Sequence, residues 1–295
     1  MIMRIGFIGL GNMGAPMATK LAKAGHEVFG LDAAGATAEG VKQVQSINEA
    51  VTDMDCVITM LPNGQIVRNV CNEALELMSA SSVLIDCSTI DIESARAVHV
   101  ACSSKNVLSV DAPVSGGVGG AQAGSLTFMA GGSQNAFDMA KPLLDIMGGK
   151  IVHCGEGGAG QAAKICNNMI LGISMIGVCE AFALGEKLSL DPQKLFDVVS
   201  TSSGSCWSVN TYCPEPGVGP QSPADNDYKP GFAAELMLKD LLLSQSAAEL
   251  VNADTPMGAR AAGFYQKFVD ANGRGRDFSA ALEHFKSAGR GDFDA

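Results

Sequence analysis

Residues 4–32 read RIGFIGLGNMGAPMATKLAKAGHEVFGLD. Arg4 to Leu10 is a short apolar run with the composition of a buried strand. The turn Gly9-Leu10-Gly11-Asn12-Met13-Gly14 follows at once. Ala15 to Ala24 then reads as a helix, closed by Gly25 at the C′ position. Glu27 to Leu31 is a second strand that ends in Asp32, 18 residues after Gly14. A glycine-rich turn alone means little and could be punctuation between any strand and helix. Strand, turn, helix, strand and acid in this order are the full context that a dinucleotide-binding turn requires. Gly9 permits the tight turn, Gly11 lets the backbone approach a pyrophosphate, and Gly14 lets helix and strand pack closely. Asn12 and Met13 complete the cofactor-facing turn, and the helix N-terminus receives the negative charge. Asp32 is suited to accept hydrogen bonds from the adenosine ribose and to repel a 2′-phosphate. Ala33, Ala34 and Gly35 offer no arginine to such a phosphate, which favours NAD over NADP.

Outward from this unit, strands and helices keep alternating. Ser46 to Glu49 has the pattern of a capping box opening a short helix. Cys56 to Leu61 (CVITML) is a buried strand running into Pro62. Val83 to Asp86 is another, followed by Cys87-Ser88-Thr89, and Ile92 to Ser103 is helical. Further strands are expected at Val107 to Ala112, Leu126 to Ala130 and Lys150 to His153. This order predicts a doubly wound, mainly parallel α/β sheet of the Rossmann type. Ligands of such sheets gather at the carboxyl ends of strands, so Leu61-Pro62 and Ser88-Thr89 become candidate cofactor-lining positions. At Ser115, Gly116 and Gly117, successive N–H groups and a hydroxyl can converge on a carboxylate, although a hairpin loop has the same composition.

The segment Gly155 to Lys187, GEGGAGQAAKICNNMILGISMIGVCEAFALGEK, is expected to be one long helix after its glycine cluster. Met169 to Leu184 is apolar almost all round and holds a single charge, Glu180, as in a helix sheathed by protein. The run is shorter than the roughly 18–20 residues of a membrane span. Lys164 and Asn168 stand four apart on one face, with Asn167 beside them. A lysine and an amide entering an otherwise apolar helix are unusual, and they mark it as a link between domains that carries a catalytic group. The domains are expected at 1–160, binding the dinucleotide, and 161–295, all helical.

Within the second half, Asp191-Pro192 is a helix start with cap and N1 proline. Residues 202–231 hold Trp207, Tyr212 and several prolines without periodicity, and a loop of this length is usually functional or mobile. Ala233 to Val251 is a helix bearing Lys239-Asp240 between leucines. Thr255-Pro256 is expected to cap and open another helix, and Phe278 to Lys286 forms the last.

Composition narrows the function. With 295 residues, 47% of them hydrophobic, the chain can build two domains with ample cores. A net charge of −11 argues against nucleic acid and anionic membranes as partners. Nine cysteines without a C-x-x-C pair, and only four histidines, fit reduced thiols of a cytoplasmic protein and no metal centre. The first strand begins too early for a preceding signal or transit segment.

Four stretches, GFIGLGNMGAPMA, DAPVSGGVGGAQAGSLTFMAGG, GAGQAAKICNN and LMLKDL, resemble the β-hydroxyacid dehydrogenase family over essentially the whole chain. The segment WSVNTYCPEPGV is similar to that of members acting on 3-hydroxyisobutyrate. The resemblance implies reversible NAD-dependent oxidation of this small 3-hydroxy acid to methylmalonate semialdehyde, as in valine catabolism, by a homodimer or homotetramer. It implies that Lys164 transfers the proton, that Asn168 supports it, and that Ser115, Gly116 and Gly117 bind the substrate carboxylate. It places Leu61, Pro62, Thr89 and Lys239 around cofactor and substrate, and Trp207, the only tryptophan, is expected to face the substrate from the long loop. A lysine acting as a base near neutrality needs a pKa well below its free value of about 10.4, and burial pushes in that direction. The alternatives are reduction of tartronate semialdehyde, glyoxylate or succinic semialdehyde, or a non-catalytic dinucleotide-binding module. Such a module has little use for Lys164.

Overall fold

The computed structural model describes residues 2–287. The chain divides into two compact units, Met1–Lys164 and Ile165–Ala295. In the first, the elements are β1 (Arg4–Ile8), α1 (Gly14–Lys23), β2 (Glu27–Leu31), β3 (Lys42–Gln43), α2 (Ile47–Val51), β4 (Cys56–Thr59) and α3 (Gly64–Leu75). They continue with β5 (Val83–Asp86), α4 (Ile92–Ser104), β6 (Leu108–Asp111), β7 (Val114–Ser115), α5 (Gly117–Ala123), β8 (Leu126–Gly131), α6 (Gln134–Met147) and β9 (Gly148–Gly155).

The sheet order is β3-β2-β1-β4-β5-β6-β8-β7, with β9 on β8. From β3 to β6 every pairing is parallel, while β8 runs antiparallel to β6 and β7. The chain therefore reverses its direction of travel across the sheet between β1 and β4, which opens a crevice at their carboxyl ends. Strands β4 and β5 are buried throughout, as expected where helices cover both faces. Alternate residues of β1 serve opposite faces. Ile5 and Phe7 join Met17, Leu21, Leu143 and Leu144, whereas Ile8 joins Ala50, Val51, Met54 and Val57.

Several details differ from the sequence expectation. Ser46 caps α2 by accepting from Glu49 N at 3.2 Å, but the Glu49 carboxylate reaches back to Gln45 N rather than to Ser46. Helix α6 contains Pro142, a residue that disguises a helix in sequence. Three of the seven residues of α5 are glycines, so it reads as a loop until its tertiary setting is known.

Helix α7 (Ala159–Lys187) is a single element of 29 residues. By length and composition alone it could cross a membrane, contrary to the shorter run counted from Met169 to Leu184, because small apolar residues extend the stretch. Its contacts are those of a core helix. Met175, Cys179 and Phe182 pack with Met237, Leu241, Tyr265 and Phe268 in the second unit's core. At Gly172 an added Cβ would lie 2.9 Å from the Leu241 side chain, so the absence of a side chain permits this approach.

The second unit continues with α8 (Pro192–Val199), α9 (Trp207–Asn210), α10 (Ala234–Leu250), α11 (Pro256–Phe268) and α12 (Ala281–Ser287). Asp191 caps α8 as expected, accepting from Gln193 N and Lys194 N at 2.8 and 3.1 Å. Thr255 makes no side-chain cap on α11; its hydroxyl turns to Gln245 Oε1. Residues 202–231 form a packed segment rather than an open loop. Ser222 Oγ donates to Cys213 O at 2.7 Å and Tyr228 OH to Pro214 O at 2.9 Å.

Fully buried Asp277 anchors this segment. One carboxylate oxygen accepts from Tyr212 OH, Gly231 N and Phe232 N, and the other from Ser279 N and Oγ. Asp277→Ala leaves these donors without an acceptor, at roughly 1–3 kcal/mol for each that stays buried. Urea unfolding of this variant is expected to show a stability loss of roughly 3–5 kcal/mol. A loss below about 1 kcal/mol, the value of one ordinary hydrogen bond, would show that Asp277 does not hold the segment.

Candidate active site

The carboxyl edge of the parallel strands carries most of the first unit's candidate residues. At Gly9, φ is +99° and a Cβ would overlap the Met60 carbonyl. At Gly14 a Cβ would overlap the carbonyl oxygen of Gly9, so only glycine lets α1 start this close to β1. Gly11 differs from both, since a Cβ there would meet no protein atom within 4 Å. Gly11 and Asn12 are exposed, Met13 is half-buried, and the first turn of α1 contains no acid. An open glycine position at an unencumbered helix N-terminus fits the pyrophosphate of a dinucleotide.

Asp32 ends β2 beside this turn and accepts from Leu10 N at 2.8 Å, Ala34 N at 2.8 Å and Ala36 N at 3.2 Å. Partial burial alone would raise its pKa, but these three backbone donors outweigh it and hold the carboxyl below the usual value. The group is thus a fixed anion with acceptor capacity left for ribose hydroxyls.

Fully buried Asp86 ties the ends of β4 and β5 together. Its Oδ1 accepts from Thr59 Oγ1 at 2.8 Å, Ser88 Oγ at 2.6 Å and Ser88 N at 3.1 Å. Ser88 Oγ accepts in turn from Leu61 N at 2.8 Å. Burial pushes the Asp86 carboxyl up to about 6 in spite of these donors, and its Oδ2 has no hydrogen-bond partner among the described residues. Leu61-Pro62 and Ser88-Thr89 are therefore held in one register along the crevice, with Leu61 and Thr89 half-buried and Pro62 exposed. Gly116 and Gly117 both have positive φ, +128° and +61°, and turn the backbone sharply after Ser115.

Helix α7 brings three buried polar residues onto one stripe: Gln161, Lys164 and Asn168, at 0%, 7% and 1% exposure. Gly158 N and Gln161 N donate to the two oxygens of Asp111, which ends β6, at 2.8 and 2.9 Å. His99 Nε2 lies 2.8 Å from Asp111 Oδ1, and its Nδ1 lies 2.6 Å from Ser109 Oγ. The Gln161 side chain donates to Ser88 O at 2.7 Å and accepts from Ile90 N at 3.1 Å.

Asn168 is pinned within the second unit. Its Oδ1 accepts from Asn167 Nδ2 at 2.9 Å, and its Nδ2 donates to Asp240. Lys239 Nζ lies 3.2 Å from the other Asp240 oxygen, at ion-pair distance but outside hydrogen-bond geometry. Trp207 is 48% exposed and stacks on Tyr212 at 4.8 Å. Sequence reasoning assigned no role to Gln161, Asp111 or Asp240. A weak signal existed for two of them: Gln161 stands three residues before Lys164, and Asp240 is an acid between leucines beside Lys239.

Residues 4–155 match the model described as NAD binding domain of 6-phosphogluconate dehydrogenase. Residues 158–285 match that described as NAD-binding of NADP-dependent 3-hydroxyisobutyrate dehydrogenase. The probable 3-hydroxyisobutyrate dehydrogenase of Mycobacterium bovis is 49% identical over 96% of this chain and 98% of its own length. An NAD-dependent L-serine dehydrogenase of Pseudomonas aeruginosa is 43% identical over 96% of this chain and 97% of its own. A solved structure of the Mycobacterium tuberculosis 3-hydroxyisobutyrate dehydrogenase with L-serine superposes with a TM-score of 0.93 at 48% identity. It covers 97% of this chain and 100% of that one. With one family model matched over residues 4–155, another over 158–285, and a glycine turn shaped for a dinucleotide, this chain belongs to the β-hydroxyacid dehydrogenase family and is an NAD-dependent oxidoreductase.

Proposed function

We propose that the protein oxidises 3-hydroxyisobutyrate to methylmalonate semialdehyde with NAD, using Lys164 as the proton-transfer group. The observation that carries this reading is a buried lysine one helical turn before a buried, pinned asparagine. A buried lysine is rare outside a pair or a functional site. In the proposed roles, residues 1–160 bind the cofactor and supply the carboxylate site, and 161–295 form the helical substrate and dimerisation domain, with a second copy of the chain covering exposed Ile170 and Leu184 of α7. Free, mostly buried thiols support a cytoplasmic setting.

When bound, NAD supplies the hydride acceptor. The chain's own residues do the rest. Gly9, Gly11, Asn12, Met13 and Gly14 receive the pyrophosphate and Asp32 the ribose, while Leu61, Pro62, Thr89 and Lys239 line the remainder. Ser115 with the N–H groups of Gly116 and Gly117 holds the substrate carboxylate. Lys164 Nζ takes the hydroxyl proton as the carbon beneath it gives up hydride, and returns that proton to the aldehyde oxygen in the reverse direction. Asn168, oriented by Asp240, keeps the lysine and the hydroxyl aligned.

Oxidation of L-serine is the second reading, favoured by the serine-acting relative and the serine-bound structure. Serine shares the hydroxymethyl carbon and the carboxylate and replaces the methyl group with an ammonium. Initial rates on 3-hydroxyisobutyrate, 3-hydroxypropionate and L-serine distinguish the two. Trp207, proposed as the apolar wall for the methyl, makes this sharper. A methyl-sized contact is worth roughly 1–3 kcal/mol, so Trp207→Ala is expected to lower the 3-hydroxyisobutyrate to 3-hydroxypropionate ratio of kcat/KM. An unchanged ratio removes Trp207 from the site.

Lys164→Ala is expected to lower kcat by about 10²–10⁴-fold, with NAD affinity in a fluorescence titration nearly unchanged. Lys164→Arg should not restore activity, since a guanidinium does not release its proton near neutrality. Retention of more than about a tenth of the activity in Lys164→Ala, far short of a general-base loss, would make Lys164 structural.

Cofactor choice follows from the anion at Asp32. NAD is expected to exceed NADP in kcat/KM, and Asp32→Ala combined with Ala33→Arg should narrow or reverse the ratio. A native preference for NADP would overturn the role given to Asp32.

A further inference from the structure

We infer that Gln161 is a positioning residue, one that sets Lys164 against the cofactor-lining loop Ser88–Ile90. The inference rests on the reading of Lys164 as the proton-transfer group. Gln161 is 0% exposed and uses both ends of its amide on one loop, donating to Ser88 O and accepting from Ile90 N. Its own backbone N–H is held by Asp111 at 2.9 Å. Three contacts therefore fix its Cα, its side chain and the rotation of the first turn of α7. Lys164 follows three residues later on the same stripe, with no flexible residue between. The loop at the other end is equally constrained, because Ser88 N and Oγ are bound by Asp86. Thr89 lies between the two backbone atoms that Gln161 grips.

A glutamine is suited to this because it presents a donor and an acceptor about 2 Å apart on a neutral group. A glutamate presents two acceptors when ionised, and one of them would face the Ser88 carbonyl. A methionine fills the space and makes neither bond. Displacement of a catalytic group by about 1 Å can cost 10²-fold in rate, whereas the backbone bonds that hold Asp32 against the glycine turn do not pass through Gln161.

The experiment compares the wild type, Lys164→Ala, Gln161→Met and Gln161→Glu by kcat, substrate KM, NAD affinity and the isotope effect with substrate deuterated at the hydroxymethyl carbon. Gln161→Met is expected to lose tenfold or more in kcat, with KM and NAD affinity within about threefold and a larger isotope effect as hydride transfer becomes limiting. Gln161→Glu should be impaired at pH 8 and recover relative to the wild type toward pH 6. A protonated carboxyl donates to Ser88 O again, and burial raises the pKa of such a group. Gln161→Met should show no acid recovery. The ionisable groups around the position, Asp111, His99, Asp86 and Lys164, are common to all Gln161 variants, and the uncharged Gln161→Met reports their titration without a new charge beside them.

Wild-type kcat and isotope effect in Gln161→Met overturn the inference. So does a loss that tracks thermal stability or NAD affinity and shows no acid recovery in Gln161→Glu. If Gln161→Met does not fold, the acid recovery decides alone, and failure of both variants to fold makes Gln161 a framework residue and also overturns it. Retention of more than about a tenth of the activity in Lys164→Ala refutes the lysine reading itself. An inactive Lys164→Ala beside an unimpaired Gln161→Met refutes only the positioning role.

Discussion

The start of helix α7 depends on one buried carboxylate. Asp111, 2% exposed, takes the amides of Gly158 and Gln161 on its two oxygens, where a helix N-terminus presents unpaired donors and the positive end of its dipole. The approach is very close. A Cβ at Gly131 would lie 2.7 Å from Gly160 N, and one at Gly160 would overlap the Met129 carbonyl. A buried anion is costly unless its valences are filled, and His99, itself braced by Ser109, supplies a further partner. Lys164 follows one turn after these contacts, on the stripe that Gln161 begins.

The same economy recurs at the crevice of the sheet. Strand interiors are apolar and interchangeable in kind, whereas the carboxyl ends carry acids, buried at Asp86 and half-buried at Asp32, that collect hydroxyl and amide donors. Asp86 collects three on one oxygen and Asp32 collects backbone N–H groups from its own turn and from the glycine turn. Each hub fixes loop ends that no hydrophobic contact would hold to a fraction of an ångström, the tolerance that proton and hydride transfer demand.

The helical unit uses two more. Asp277 gathers the aperiodic segment 202–231 onto the core through Tyr212, Gly231 and Phe232. Asp240 sits inside an apolar helix, orients the amide of Asn168 and stands at ion-pair distance from Lys239. Both acids lie among apolar neighbours, so their place in the structure is specified by partners rather than by hydropathy.

Features written in local spacing were legible in the sequence. The β1–turn–α1–β2 unit, its three glycines, Asp32, the Asp191-Pro192 start and the single long helix follow from contacts within about 30 residues, where periodicity and turn chemistry act directly. The aperiodic segment 202–231 was visible only as an absence of pattern, and α5 and α6 were masked by glycine and by Pro142. Asp32 apart, the polar hubs were not legible, because each joins residues far apart in the chain. Gln161 meets Ser88 across 73 positions, Asn168 meets Asp240 across 72, and Gly158 meets Asp111 across 47. The sequence by itself determined which residues could carry the chemistry. Only the tertiary structure decided which acids and amides hold them in place, since a hydrogen bond across such separations exists only once the core has brought its two ends together.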